Sequence, residues 1–98
     1  MKKKIEFSLR IIEFSELLES KRKYNMANQI FRSGTSIGAN VCEAQNAESK
    51  ADFIHKFKIA GKEMDETTYW LLLSLYSKSY PDSKFLIEEL EEIGRAHV

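Results

Sequence analysis

At about 100° per residue, the apolar positions of this chain fall into four stretches of helical period. In the first, Phe7, Ile11, Phe14 and Leu18 recur at spacings of four, three and four, a narrow stripe that faces a core. Ile5, Leu9 and Ile12 form a second stripe almost opposite it. The next stretch carries Met26, Ile30, Ile37, Val41 and Ala44 on one face, with Gly34 in the same row and Gly38 beside it. In the third, Phe53, Phe57, Ala60, Met64, Leu71 and Leu75 make one seam of about six turns, while Ile59, Trp70 and Leu73 fall on another side. The last turns Phe85, Leu86, Leu90 and Ile93 inward and Glu88, Glu89, Glu91 and Glu92 outward.

These patterns predict helices over about 4–20, 25–46, 50–78 and 82–94 of a single domain, 1–98. Short connections between four such helices imply an all-α, antiparallel up-down-up-down four-helix bundle. Residues 19–25 break the first pattern and read as a turn. Ser49 with Asp52 three positions later makes a capping box, Asp standing in for the commoner Glu. Pro81 within Tyr80, Asp82 and Ser83 stops the third helix and suits the first turn of the fourth. Glycines four apart inside a helix are best tolerated where another backbone comes close, so Gly34 and Gly38 predict tight packing. Mid-helix Ser33, Thr35 and Ser36 can bond back to the preceding turn and bend it. After Glu92 the pattern gives way to Ile93, Gly94, Arg95, Ala96, His97 and Val98. That hexapeptide is what a common sequencing adapter encodes in frame, so the last helix is expected to be truncated; the alternative is a natural terminus with Gly94 as C-cap.

A chain of 98 residues buries only about two thirds of the surface it exposes when unfolded, so its one core is marginal. The extra stripes therefore ask for another subunit, and Ile5, Leu9, Ile12, Ile59, Trp70 and Leu73 are the expected contacts of a homo-oligomer. No apolar run nears the roughly twenty residues that span a bilayer, and charges after Met1 interrupt any signal-peptide core. A cytoplasmic protein with no membrane partner is expected. Lone Cys42 makes no internal disulfide, and His55 and His97 read as surface residues without metal-ligand spacing.

The chain has 15 basic and 15 acidic residues, yet they are unevenly placed. Lys2, Lys3, Lys4, Lys21, Arg22 and Lys23 make the first third basic, and the last helix is acidic. Overall neutrality removes the long-range field that non-specific nucleic-acid binders use, so solvated helix ends are the simpler reading of both clusters. Catalytic readings fare worse. Glu63 and Glu66 share a face without a histidine partner, Ser33, Ser36 and Cys42 have no base nearby, and no phosphate-cradling glycine loop is present. No catalytic, cofactor or metal site is expected, and the chain reads as a non-enzyme.

Arg32, Ser33, Gly34, Thr35, Ser36, Ile37, Gly38, Ala39, Asn40 and Val41, then Glu43, Ala44 and the run from Ser49 to Ile54, resemble the signature of the bacterial four-helix-bundle proteins known from 23S rRNA intervening sequences. Lys62, Glu63, Glu66, Thr67, Tyr69, Trp70 and Leu71 resemble its second half, so the likeness spans most of the chain. The resemblance implies a four-helix bundle that assembles with itself, in a pentamer ring in related proteins. A relative is the accessory variability determinant of diversity-generating retroelements, which binds nucleic acid and a reverse transcriptase. This chain departs from that relative in lacking a strongly basic balance, and from the family in having Gly61 where a larger apolar residue is usual.

Arg32, Ser36 and Glu43 project from one side of the second helix. Arg32 is expected to form an internal ion pair with Glu43 or Glu66, fixing register more than adding stability. Asn40 is expected as a buried amide that sets helix pairing. Two roles follow: a homo-oligomeric scaffold or interaction module holding a protein partner, and alternatively an RNA- or DNA-binding accessory protein. The second needs both basic clusters on one surface, yet Lys4 and Lys21 sit roughly 25 Å apart along one helix.

Overall fold

The computed structural model of the protein describes residues 1–97. The side chain of His97 and all of Val98, on which part of the sequence reading fell, lie outside the described residues. Four helices follow one another: α1 Lys2–Ser20, α2 Tyr24–Gln45, α3 Lys50–Tyr76 and α4 Lys84–His97. Each packs against its neighbours in chain order, and α4 returns to α1, which closes an up-down-up-down bundle of 45 × 22 × 20 Å.

Each boundary has a local cause. α1 ends in a Schellman turn: Arg22 N–H donates to Glu19 C=O (2.9 Å) and Lys23 N–H to Leu18 C=O (2.8 Å). The turn needs a left-handed residue, and Arg22 takes that place with φ 62°. At the start of α3, Asp52 N–H donates to Ser49 Oγ at 3.1 Å, as the capping box requires. Before α4, Asp82 Oδ1 accepts from Lys84 N–H (2.9 Å), and buried Ser83 donates from Oγ to Leu71 C=O (2.6 Å), tying α4 to α3. α4 runs through Gly94 to His97 with Ile93 buried, and no glycine has positive φ, so Gly94 is not a C-cap.

The core takes Phe7, Ile11, Phe14 and Leu18 from α1, Ile30 and Ile37 from α2, Met64 and Leu71 from α3, and Leu86, Leu90 and Ile93 from α4. Three assignments differ from the periodic reading. Phe85 is 65% exposed and Ile87 is buried in its stead, because α4 rotates to lay Leu86, Ile87 and Leu90 against α1 and α3. Phe53 is exposed, its ring 4.7 Å from Phe57. In α2, Ala27 is buried and Met26 only half so. The α1–α2 packing explains both glycines. A Cβ on Gly34 would lie 2.8 Å from Ile11 Cγ2, and one on Gly38 3.3 Å from Ser8 Oγ. The hydroxyls of Ser33, Thr35 and Ser36 donate to the carbonyls of Gln29, Phe31 and Arg32 at 2.9, 2.7 and 2.6 Å.

Candidate functional site

Arg32 is the hub of the polar network expected between α2 and α3. Its Nη2 hydrogen-bonds Glu66 Oε2, Nη1 lies 3.5 Å from Glu63 Oε2, and Nη2 also reaches Gln29 Oε1 at 3.4 Å. Trp70 Nε1 donates to the same Glu66 oxygen at 3.0 Å, while its ring packs on the core. The network is not internal, since the Arg32 side chain is 52% exposed. The 3.6-residue turn brings position 32 to the edge of the α2–α3 seam rather than into it. Glu43 does not join it; one helical end away, its Oε1 accepts from Lys56 Nζ at 2.8 Å, and that bond and charge raise the lysine pKa. Asn40 is half-buried and donates to Ser36 C=O of its own helix (2.8 Å), so it does not set helix pairing. The polar tie inside the core is one that sequence periodicity missed: Thr67 Oγ1 sits 2.9 Å from Ser33 Oγ, both residues fully buried. Their small size at otherwise apolar core positions was the available signal.

A second cross-link joins α1 to α4. Arg10 Nε donates to Glu89 Oε1 at 2.9 Å, Arg10 Nη2 bonds Glu89 Oε2, and the guanidinium lies 5.9 Å from the Phe85 ring centroid. The fork of two bonds to Glu89 raises the arginine pKa. Phe85 thus finds its partner in a cation at the bundle rim rather than in the core.

The basic clusters part company as the helix length requires. Lys2, Lys3 and Lys4 open α1, and Lys21, Arg22 and Lys23 form the α1–α2 turn at its far end. There Lys23 Nζ lies 4.9 Å from the Tyr80 ring and 3.3 Å from Ser79 Oγ, which brings the α3–α4 connection, with Lys78, to the same end. That addition was not legible in the linear charge pattern.

Among the expected subunit contacts, Ile5 and Leu9 are 53% and 54% exposed on the outer side of α1, and Ile12 is half-buried where α1 meets α2. On α3, Leu73 is exposed beside Tyr69 and Tyr76, the last 79% exposed, whereas Ile59 and Trp70 are half-buried. Phe31 adds an exposed ring on α2. Cys42 and His55 are exposed. Among the described residues no group of three or more His, Cys, Asp or Glu could hold a metal ion, and no helix is long and apolar enough to cross a membrane.

Four antiparallel helices locked by a rim of inter-helix ion pairs, with glycines seating α1 on α2, define a small all-α bundle protein. The chain belongs to the 23S rRNA-intervening sequence protein family, whose family model matches residues 1–97. It is similar to a solved protein of unknown function from the S23 ribosomal protein family of Bacteroides thetaiotaomicron, with 40% identity and a TM-score of 0.91. That likeness covers 98% of this chain and 92% of the other. No curated protein matches.

Proposed function

We propose that the protein is a non-enzymatic scaffold that works as a homo-oligomer. The observation that carries this reading is a pair of apolar ridges on different outer helices, exposed Ile5 and Leu9 continued by half-buried Ile12 on α1, and exposed Tyr69, Leu73 and Tyr76 on α3. Both have the spacing four then three, so side chains of one ridge can alternate with those of the other in parallel helices. Because α1 and α3 do not pack on each other within the bundle, the ridges point away from one another. Different patches on different sides give a head-to-tail contact, which closes into a ring when the rotation allows, as the pentamer implied by the family resemblance would.

Light scattering on the purified chain at micromolar concentration tests this. The expected result is a multiple of the 11.4 kDa chain, reduced to a single copy by Leu9→Lys with helical circular dichroism retained. A compact single copy in the parent protein would overturn the reading.

The second reading, an RNA- or DNA-binding accessory role, is favoured by one observation: Lys21, Arg22, Lys23 and Lys78 share an end of the bundle with Tyr80. Repetition around a ring would raise avidity without strengthening any single contact. Binding of structured RNA that weakens steeply with salt, and less steeply in Lys21→Ala/Lys23→Ala, would support it; no binding at low salt would remove it.

A further inference from the structure

Where α2 and α3 meet at the Lys23 end of the bundle, a cleft of about 250 Å³ is lined by Asn25, Met26, Gln29, Trp70 and Tyr80. Trp70 lines this cleft rather than the outer ridge of α3, because one residue on from Tyr69 turns a side chain about 100° around the helix. Its Nε1 donates to Glu66 Oε2 at 3.0 Å, which fixes the indole on that side, and Arg32 neutralises Glu66 in turn. Tyr80 comes from the α3–α4 connection, with Lys23 Nζ 4.9 Å from its ring centroid. Met26, Trp70 and Tyr80 are only half-buried, so the cleft has apolar and aromatic walls that a ligand can reach. Asn25 and Gln29 add two exposed amides from α2. Lys21 and Arg22 are exposed in the turn before α2, and Lys78 is exposed two residues before Tyr80.

Each part narrows the occupant. The volume lies below the roughly 300–1,000 Å³ of sites that bury a drug-sized molecule, so the cleft takes one flat ring system. A bare anion would gain nothing from indole and thioether walls. A cation would meet Lys23 already over the Tyr80 ring, with Glu66 already paired. A hydrocarbon ring would make no use of two amides. A nucleobase fits every part: a π face for Trp70 and Tyr80, an edge of donors and acceptors for amides that carry both, and attached phosphates for Lys21, Arg22, Lys23 and Lys78. In a duplex both faces of a base are covered by its neighbours, so the base has to be unstacked and unpaired. We propose that the α2–α3 cleft holds one unpaired base of a single-stranded nucleic acid, with the cations beside it on the flanking phosphates. This site rests on the nucleic-acid reading above and deepens it, since it recognises a base where that reading has charge alone.

Trp70 is the single tryptophan of the chain, so its fluorescence reports on this cleft. Oligothymidylate of about ten nucleotides is titrated into the full chain at low salt, and an abasic strand of the same length beside it. Saturable quenching of Trp70 is expected with oligothymidylate and none with the abasic strand, which should bind roughly tenfold more weakly by anisotropy of an end label. Tyr80→Leu, which keeps an apolar side chain against the core, and Asn25→Ala at an exposed position should each weaken oligothymidylate binding several-fold and leave the abasic strand unchanged. Lys21→Ala/Lys23→Ala should weaken both strands alike. Equal binding of the two strands, oligothymidylate binding without quenching, or Tyr80→Leu and Asn25→Ala variants that bind as the parent does would overturn the base site and leave phosphate binding standing. Failure of both strands to bind at low salt would remove the nucleic-acid reading and this site with it. Equal quenching by thymidine monophosphate at matched nucleotide concentration would replace the strand by a free nucleotide and likewise overturn the assignment.

Discussion

Arg22 occupies the left-handed place that closes α1, where a side chain costs roughly 1 kcal/mol relative to glycine. Arg22→Gly should therefore raise stability by about that amount in urea denaturation. A loss of stability would show that the arginine makes a compensating contact. The glycines divide by what surrounds them. Gly34→Ala drives a methyl into Ile11 and should cost about 1–3 kcal/mol, whereas Gly61, with nothing within 4 Å of its Cβ position, should gain about 0.5–1 kcal/mol on change to Ala from helix propensity alone. Thermal melts of the two variants moving in the same direction would contradict this account. The need for glycine at 34 was legible in the spacing of Gly34 and Gly38. The identity of Ile11 as the residue that demands it was not, because the partner across a helix contact lies 23 positions away in the chain.

Among elements, the α2–α3 pair is held by the buried Ser33–Thr67 contact inside and by Arg32 with Glu63 and Glu66 at the rim. The sequence pattern offered Arg32 two partners, Glu43 or Glu66, and the structure puts Glu66 and Glu63 beside it while Glu43 meets Lys56. The pattern placed the pair too deep, because helical periodicity gives a direction around the axis and no depth. Arg32→Ala should consequently cost under about 1 kcal/mol by chemical denaturation, as exposed pairs do, against about 3–5 kcal/mol for a charge pair broken in a core. The Glu43–Lys56 pair acts with the same sign at the other end. With the lysine pKa raised above the usual 10.5, its support is fully present below that value and fades as pH climbs through the raised one, so neutral pH leaves it unchanged. Phe85 and Ile87 show the same limit from the apolar side. Both fit an amphipathic α4, and only the angle at which Ser83 anchors that helix to Leu71 decides which is covered.

For the whole molecule, the bundle hides one stripe per helix and leaves the α1 and α3 ridges in solvent. If those ridges join subunits, assembly binds only the folded chain, and the melting temperature should climb by several degrees for a roughly tenfold rise in protein concentration. A concentration-independent melt would leave the ridges without a stabilising role. The separation of the two lysine clusters was readable beforehand from helix length, whereas the approach of Lys78 to the second cluster depends on the α3–α4 connection folding back beside the α1–α2 turn.

Helix number, helix order and the Ser49–Asp52 cap came from the sequence alone, because hydrophobic period, turn chemistry and capping are local properties of consecutive residues. Which acids Arg10 and Arg32 meet, and that Thr67 finds Ser33, were decided only by the tertiary structure. Those facts depend on the rotation and depth of one helix against another, and such geometry is set by the packing of residues far apart in the chain.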